Sequence, residues 1–289
     1  MESNTDSRQR TIVVSVDVEP DITMFVRGTS GLSEGLPRLM DTFRRLEIPA
    51  DYYFSLDAAK LIPDTVRELA ATGQWIGSHG CNHDTPYYSR MPESWQVNAV
   101  REATDGLHAI AGRRPKLFRA PNFSISPAAV RELDRQEYGA DSSVLPGRRK
   151  KRLRLLTVID HRGAPREPYH PSADNPLAPG ALRLWEVPVT ENPLAPGGPI
   201  GLGYIHALGG KQTLQAIEAS KGRIVTILCH TWEAVDLGKL YPNAPSWVLR
   251  LGNSRLDEFE RVLADLATRH EFTWLQDAIG NARAGNSER

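Results

Sequence analysis

The chain is short of cysteine, lacks long apolar runs and carries no excess charge of either sign. Two cysteines, Cys81 and Cys229, are too few to staple a disulfide-built fold, so both are expected to stay reduced and pack as small buried side chains. Thirty-five basic residues offset thirty-five acidic ones, which removes any global field drawing the protein to nucleic acid or to an anionic membrane. No apolar run approaches the ~20 residues of a membrane-spanning helix. Residues Met1 to Arg10 are polar and lack the apolar core of a secretory leader. The expectation is a cytoplasmic protein with no membrane span and no nucleic-acid partner.

Against these absences stands an ordinary globular composition, 40% hydrophobic and 24% charged over 289 residues, long enough for one large domain. The organising stretch is Thr11 to Pro20. Its β-branched run reads as a buried strand, and Pro20 stops the ladder just after two carboxylates, Asp17 and Glu19. Period-two geometry puts both on one face.

Strand and helix patterns then alternate. Helices are expected near 33–46, 63–71, 92–111, 126–136, 211–220 and 253–269, and strands near 50–56, 75–78, 116–119, 138–143, 182–189, 223–230 and 272–275. Such alternation makes the fold α/β with a parallel sheet, closed as a barrel or open and doubly wound, and seven or eight units favour the barrel. In that architecture chemistry gathers at the carboxyl ends of strands.

Those ends present a coherent set. The first offers Asp17 and Glu19, the third His79 with His83 four residues on, the fourth Arg119 followed by Pro121 and Asn122, a later one Asp141, and the strongest β-run His230. Two histidines and one carboxylate make a three-ligand metal site with room for water and substrate. The remaining carboxylates, arginine and histidine are what metal-assisted hydrolysis needs as base, acid and orienting partners.

Taken in order, these residues resemble the motifs of the polysaccharide deacetylase family (NodB-homology, carbohydrate esterase family four), in the branch whose first motif reads Asp-Val-Glu. The resemblance covers about 11–279. It implies a distorted (β/α) barrel of about seven units in a single domain over 11–280, flanked by a disordered tail (1–10) and a frayed one (281–289). It also implies that Glu19, His79 and His83 hold a divalent metal, zinc first, with cobalt, nickel or manganese as alternatives. Asp17 takes the role of base paired with Arg119, and the N–H of Asn122 that of oxyanion donor. His230 becomes the general acid, oriented by Asp141. The implied reaction removes N-acetyl from an amino sugar inside the cell. Two departures from the commoner family pattern stand out, glutamate at the ligand position and asparagine after the proline. The alternatives are a metal-independent, allantoinase-like cyclic amidohydrolase and a barrel that only binds glycans.

Three features lie outside those motifs. The basic run from Arg148 to Arg154 reads as a solvated loop or as a sleeve for an anionic substrate moiety. The proline-rich stretch 160–180 reads as a lid over the pocket, and Trp232 is a candidate platform for a sugar ring.

Overall fold

The computed structural model describes residues 10–21, 26, 28–83, 87–153, 155–246 and 255–280. The expected tails, apart from Arg10, lie outside the described residues, as do Arg154 of the basic run and the first two residues of the last expected helix. Arg10 is tied down, its guanidinium donating to Ser220 Oγ (3.1 Å) and to the carbonyl of Glu218 (2.9 Å).

In chain order the elements are β1 (Thr11–Val18), α1 (Leu36–Arg45), β2 (Ala50–Phe54), α2 (Leu56–Leu61), α3 (Pro63–Ala71), β3 (Ile76–Ser78), α4 (Glu93–Ala111), β4 (Leu117–Phe118), α5 (Pro127–Arg135) and β5 (Ala140–Asp141). Then follow β6 (Arg149–Arg152), β7 (Leu156–Asp160), β8 (Trp185–Glu186), α6 (Leu202–Leu208), α7 (Gly210–Ala219), β9 (Ile224–His230), α8 (Leu237–Leu240), α9 (Leu256–Ala267) and β10 (Glu271–Phe272). Local signals explain several boundaries. Ser126 caps α5 by accepting from Ala129 N–H at 3.2 Å, and Gly112 ends α4 in the left-handed conformation that glycine adopts without strain.

The strands form one parallel sheet in the order β9, β1, β2, β3, β4, β5, β8, with β10 pairing the first two residues of β1 ahead of β2. It is a half-barrel with helices packed outside. Among the described residues β8 and β9 share no ladder. Side chains stitch that gap instead, Thr190 N–H donating to Thr226 Oγ1 (2.7 Å) and Thr226 N–H to Thr190 Oγ1 (2.8 Å).

Residues paired across parallel strands share a face. His230, Asp17, Tyr53, Gly77, Leu117, Ala140 and Trp185 form one row. It faces inward, where Val13, Val187 and Leu275 fill the floor. The next row, Val18, Phe54, Ser78, Phe118, Asp141 and Glu186, faces the helices. On β1 the even residues Ile12, Val14, Val16 and Val18 pack there with Leu36, Leu39 and Phe43, each buried aliphatic contributing ~1.5–3 kcal/mol. The odd residues Ser15 and Asp17 are left to build an inward polar layer.

The basic run was expected as a loop and forms β6, paired antiparallel with β7 in a separate hairpin. Residues 160–180 hold little regular structure and are fastened by bridges such as Tyr169 to Glu186. Both cysteines are free thiols, and no described helix is long and apolar enough to cross a membrane.

Candidate active site

Asp17 and Glu19 leave the end of β1 almost fully buried, at 2% and 4% exposure. Three neighbours hold the pair in place. Thr231 Oγ1 donates to the Glu19 carbonyl (3.1 Å), the Trp232 indole N–H donates to Glu19 Oε1 (3.0 Å), and Arg119 Nη1 donates to Asp17 Oδ1 (2.7 Å). The Thr231–Trp232 backbone approaches because residue 31 is glycine. A Cβ there would stand 2.7 Å from Trp232 N.

Arg119 is itself buried, and each of its guanidinium nitrogens donates. Besides Asp17 it reaches Ser15 Oγ (3.0 Å), the Ser142 carbonyl (3.0 Å) and Ser142 Oγ (3.1 Å), with its guanidinium carbon 4.3 Å from the Tyr53 ring centre. Burial alone would lower its pKa, and Asp17 beside it reverses the shift.

Glu19 Oε2 faces two imidazoles, His79 Nε2 at 3.5 Å and His83 Nε2 at 3.3 Å. His79 Nδ1 lies 2.8 Å from the Arg119 carbonyl, which can only accept, so Nδ1 carries the proton and Nε2 presents a lone pair. Glu19 Oε2 is buried without a hydrogen-bond partner. One carboxylate oxygen and two ring nitrogens within 4.8 Å of one another repel unless a cation or proton joins them. The donor set therefore fits a divalent metal. Burial works against the Glu19 charge, yet His83, His79 and His230 hold its carboxyl well below the ordinary range.

His230 ends β9 opposite Asp17, with Nε2 3.9 Å from Asp17 Oδ2. Its Nδ1 lies 3.2 Å from Glu233 Oε1, while Glu233 Oε2 accepts from the His230 backbone N–H at 3.0 Å. Burial pulls the imidazole pKa down, but Glu233, Glu19 and Asp17 outweigh it and raise it to about 9. The histidine is thus an acid at neutral pH.

Asp17, Glu19, His79, His83, Arg119 and His230 come together, and Pro121–Phe123 turns directly behind Arg119 with Asn122 at φ 56°. Asp141 does not join them as an orienting partner of His230. It lies on the helix-facing row beside Glu186, opposite the row of His230 and Asp17. Its Oδ1 accepts from Ser143 Oγ, and burial raises its pKa to about 6. Glu233 takes the place beside His230. The signal was present in His230-Thr231-Trp232-Glu233, where an acid three residues on returns to the same backbone turn. Trp232 is no open sugar platform. At 6% exposure it stacks on His230, ring centres 4.8 Å apart, and orients Glu19.

Known proteins resemble this chain in sequence and in fold. A family model described as polysaccharide deacetylase matches residues 4–140. A peptidoglycan-N-acetylglucosamine deacetylase of Bacillus cereus is 26% identical over 88 residues, 30% of this chain and 31% of that protein, so the matched stretch spans about a third of the curated relative. A solved structure from Mycobacterium smegmatis assigned to the polysaccharide deacetylases superposes over 99% of this chain and 94% of its own, with TM-score 0.67 and 16% identity. A solved allantoinase covers 93% of this chain and 88% of its own at TM-score 0.59 and 16% identity, which shows a shared fold alone. Residues 4–140 thus match the polysaccharide deacetylase family in sequence, and the whole chain shares the fold of a solved structure assigned to that family.

Proposed function

We propose that this chain is a metal-dependent hydrolase that removes the N-acetyl group of an amino sugar. One observation carries the reading: a carboxylate–His–His triad and a separate Asp17–Arg119–His230 group stand side by side at one end of the sheet. The Bacillus cereus relative's name supports the substrate class. Glu19, His79 and His83 would hold the metal, zinc before cobalt, nickel or manganese. Bound there, it supplies Lewis acidity for the amide carbonyl and for water.

The remaining chemistry belongs to this chain's own residues. Asp17, anchored through Oδ1 by Arg119, takes the proton of the attacking water. His230 then gives its proton to the departing nitrogen, so that acetate and a free amine leave. Its side chain is 22% exposed, against 2% for Asp17, which supports a role on the open side, next to the sugar nitrogen.

The raised His230 pKa sets the pH dependence. Turnover should hold through neutrality and fall as pH rises through about 9, where the acid loses its proton. Glu233→Gln removes the largest charge raising that value and should move the alkaline limb down by about 1–3 units. A kcat–pH profile measures this; an unmoved limb would take Glu233 out of the role. The same charge links to stability. Its contribution is complete below the ordinary histidine value of 6.5 and disappears as pH rises through about 9.

Acetate release from a panel of N-acetyl amino sugars, before and after a chelator, tests the whole reading. Chelation should abolish release and added zinc should restore it. Activity indifferent to chelation would favour the metal-independent alternative, and sugar binding without release the glycan-binding one.

A further inference from the structure

The basic run enters none of these roles, yet its placement is specific. Strand geometry divides it. Arg149 is exposed and turns to Asp160 (3.8 Å), and Lys151 and Arg152 are exposed at the bulged end of β6. Arg148 and Lys150 are half-buried and stack on aromatic rings, Arg148 with its guanidinium carbon 5.1 Å from the Phe123 ring centre and Lys150 with Nζ 5.5 Å from that of Tyr87.

Both rings belong to segments that build the site. Phe123 follows Asn122 directly and packs with Leu145, Val189 and Leu228, and Leu228 precedes His230 by two on the inward face of β9. Tyr87 stands four residues beyond His83. Arg148 thus stacks on the ring that follows Asn122, and Lys150 on a ring four positions beyond His83 in the chain.

Among the described residues no carboxylate pairs with either cation. Arg148 Nη1 donates to the Gly197 carbonyl (3.2 Å), whereas its Nε is buried with no hydrogen-bond partner. Glu191, the acid reached through Gly197, is taken up by Arg166 and by the Gly197 N–H. Burial leaves Arg148 and Lys150 below their ordinary pKa values, the reverse of Arg119 and Arg162, which neighbouring aspartates raise. Partly desolvated cations with no counter-charge among the described residues are costly, and a bound anion would offset that cost.

We propose that Arg148 and Lys150 form a subsite for an anionic group, a phosphate or a carboxylate, carried on or next to the acetylated sugar. The guanidinium suits an oxyanion as a planar cationic donor, and the lysine adds a point charge to the same run. Calling the ligand a substrate rests on the deacetylase reading; the binding does not.

The test uses the full metal-loaded chain and calorimetry with three probes: neutral N-acetylglucosamine, its 1-phosphate, and N-acetylmuramic acid, which carries a carboxylate. One charged probe should bind about tenfold or more tighter than the neutral sugar, and the probe that gains identifies the anion's source. Arg148→Gln/Lys150→Gln should erase that advantage and leave neutral-sugar binding unchanged, while Arg149→Gln/Lys151→Gln keeps it. Lys150→Gln alone spares the Gly197 contact and should reduce the advantage about threefold, which decides the matter if the double variant fails to fold. Equal binding of neutral and charged probes by the unaltered chain, or equal losses in both variant pairs, would overturn the subsite. Acetate release is read separately. Charge-selective binding without release upholds the subsite and rejects the deacetylase reading, and release without charge selectivity does the reverse.

Discussion

Asp17→Asn should lower kcat by about two to four orders of magnitude while leaving the bound metal in place. The substitution keeps the side chain's shape and removes its capacity to take a proton. Asp17 is not one of the three converging ligands, so metal content by mass spectrometry should match the unaltered protein. A stability cost should accompany the loss. Arg119 would keep Ser15, both oxygens of Ser142 and the Tyr53 ring, but would lose the carboxylate that raises its pKa. Leaving a buried cation without its paired charge costs on the order of 3 kcal/mol. Thermal melting should show a drop of several degrees. A variant that turns over at near-normal rate would remove Asp17 as the base, and one that has lost its metal would show that the two carboxylates of β1 are not separate in function.

What the sequence made legible was set by the range of each interaction. The β-branched run of β1 and its two carboxylates follow from strand period, and the order of the strand-end residues led to a distorted (β/α) barrel and to the six residues that meet. Asp141 shows where that reasoning stops. A strand end reveals that a residue is near the working edge of a sheet, whereas its face depends on register with distant strands. Phe118 pairs Asp141, and through it Asp141 falls outward with Glu186. Short strands compound the difficulty. β4, β5 and β8 have two residues each, too few for period two to show, and the expected strand over 182–189 shrinks to Trp185–Glu186. The hairpin of β6 and β7 was hidden for another reason. β6 is all cations, the turn leucines Leu153 and Leu155 are 84% and 88% exposed, and the buried Val158 and Ile159 of β7 are adjacent rather than alternating, so no period-two pattern marks it. Glu233 carries no signal as a strand-end residue, since only the turn after β9 brings it back to His230.

His79→Ala and His83→Ala should each abolish metal retention and activity together, yet they should differ in stability. His79 is buried at 2% exposure and ties the β3 end to the Arg119 carbonyl (2.8 Å), so its removal also leaves that carbonyl without its partner and costs about 1–3 kcal/mol. His83 has a side chain 24% exposed, and its loss should leave the metal-free melting temperature nearly unchanged. Comparing metal-free proteins therefore separates a ligand's contribution to the ion from its contribution to the fold. Activity surviving in either variant would detach the histidine pair from the chemistry. Glu19 is the member on which this pair depends. Its arm is one methylene longer than aspartate's, and the length is fixed rather than slack: Trp232 holds Oε1 at 3.0 Å, and Oε2 is thereby aimed between His79 and His83. The indole that orients this ligand also stacks on the proposed acid, so the turn after β9 sets both halves of the site from one side chain. A glutamate at the end of β1 and a tryptophan two residues after His230 thus form one structural unit, in which the carbonyl of Glu19, held by Thr231, completes the connection between the two strand ends.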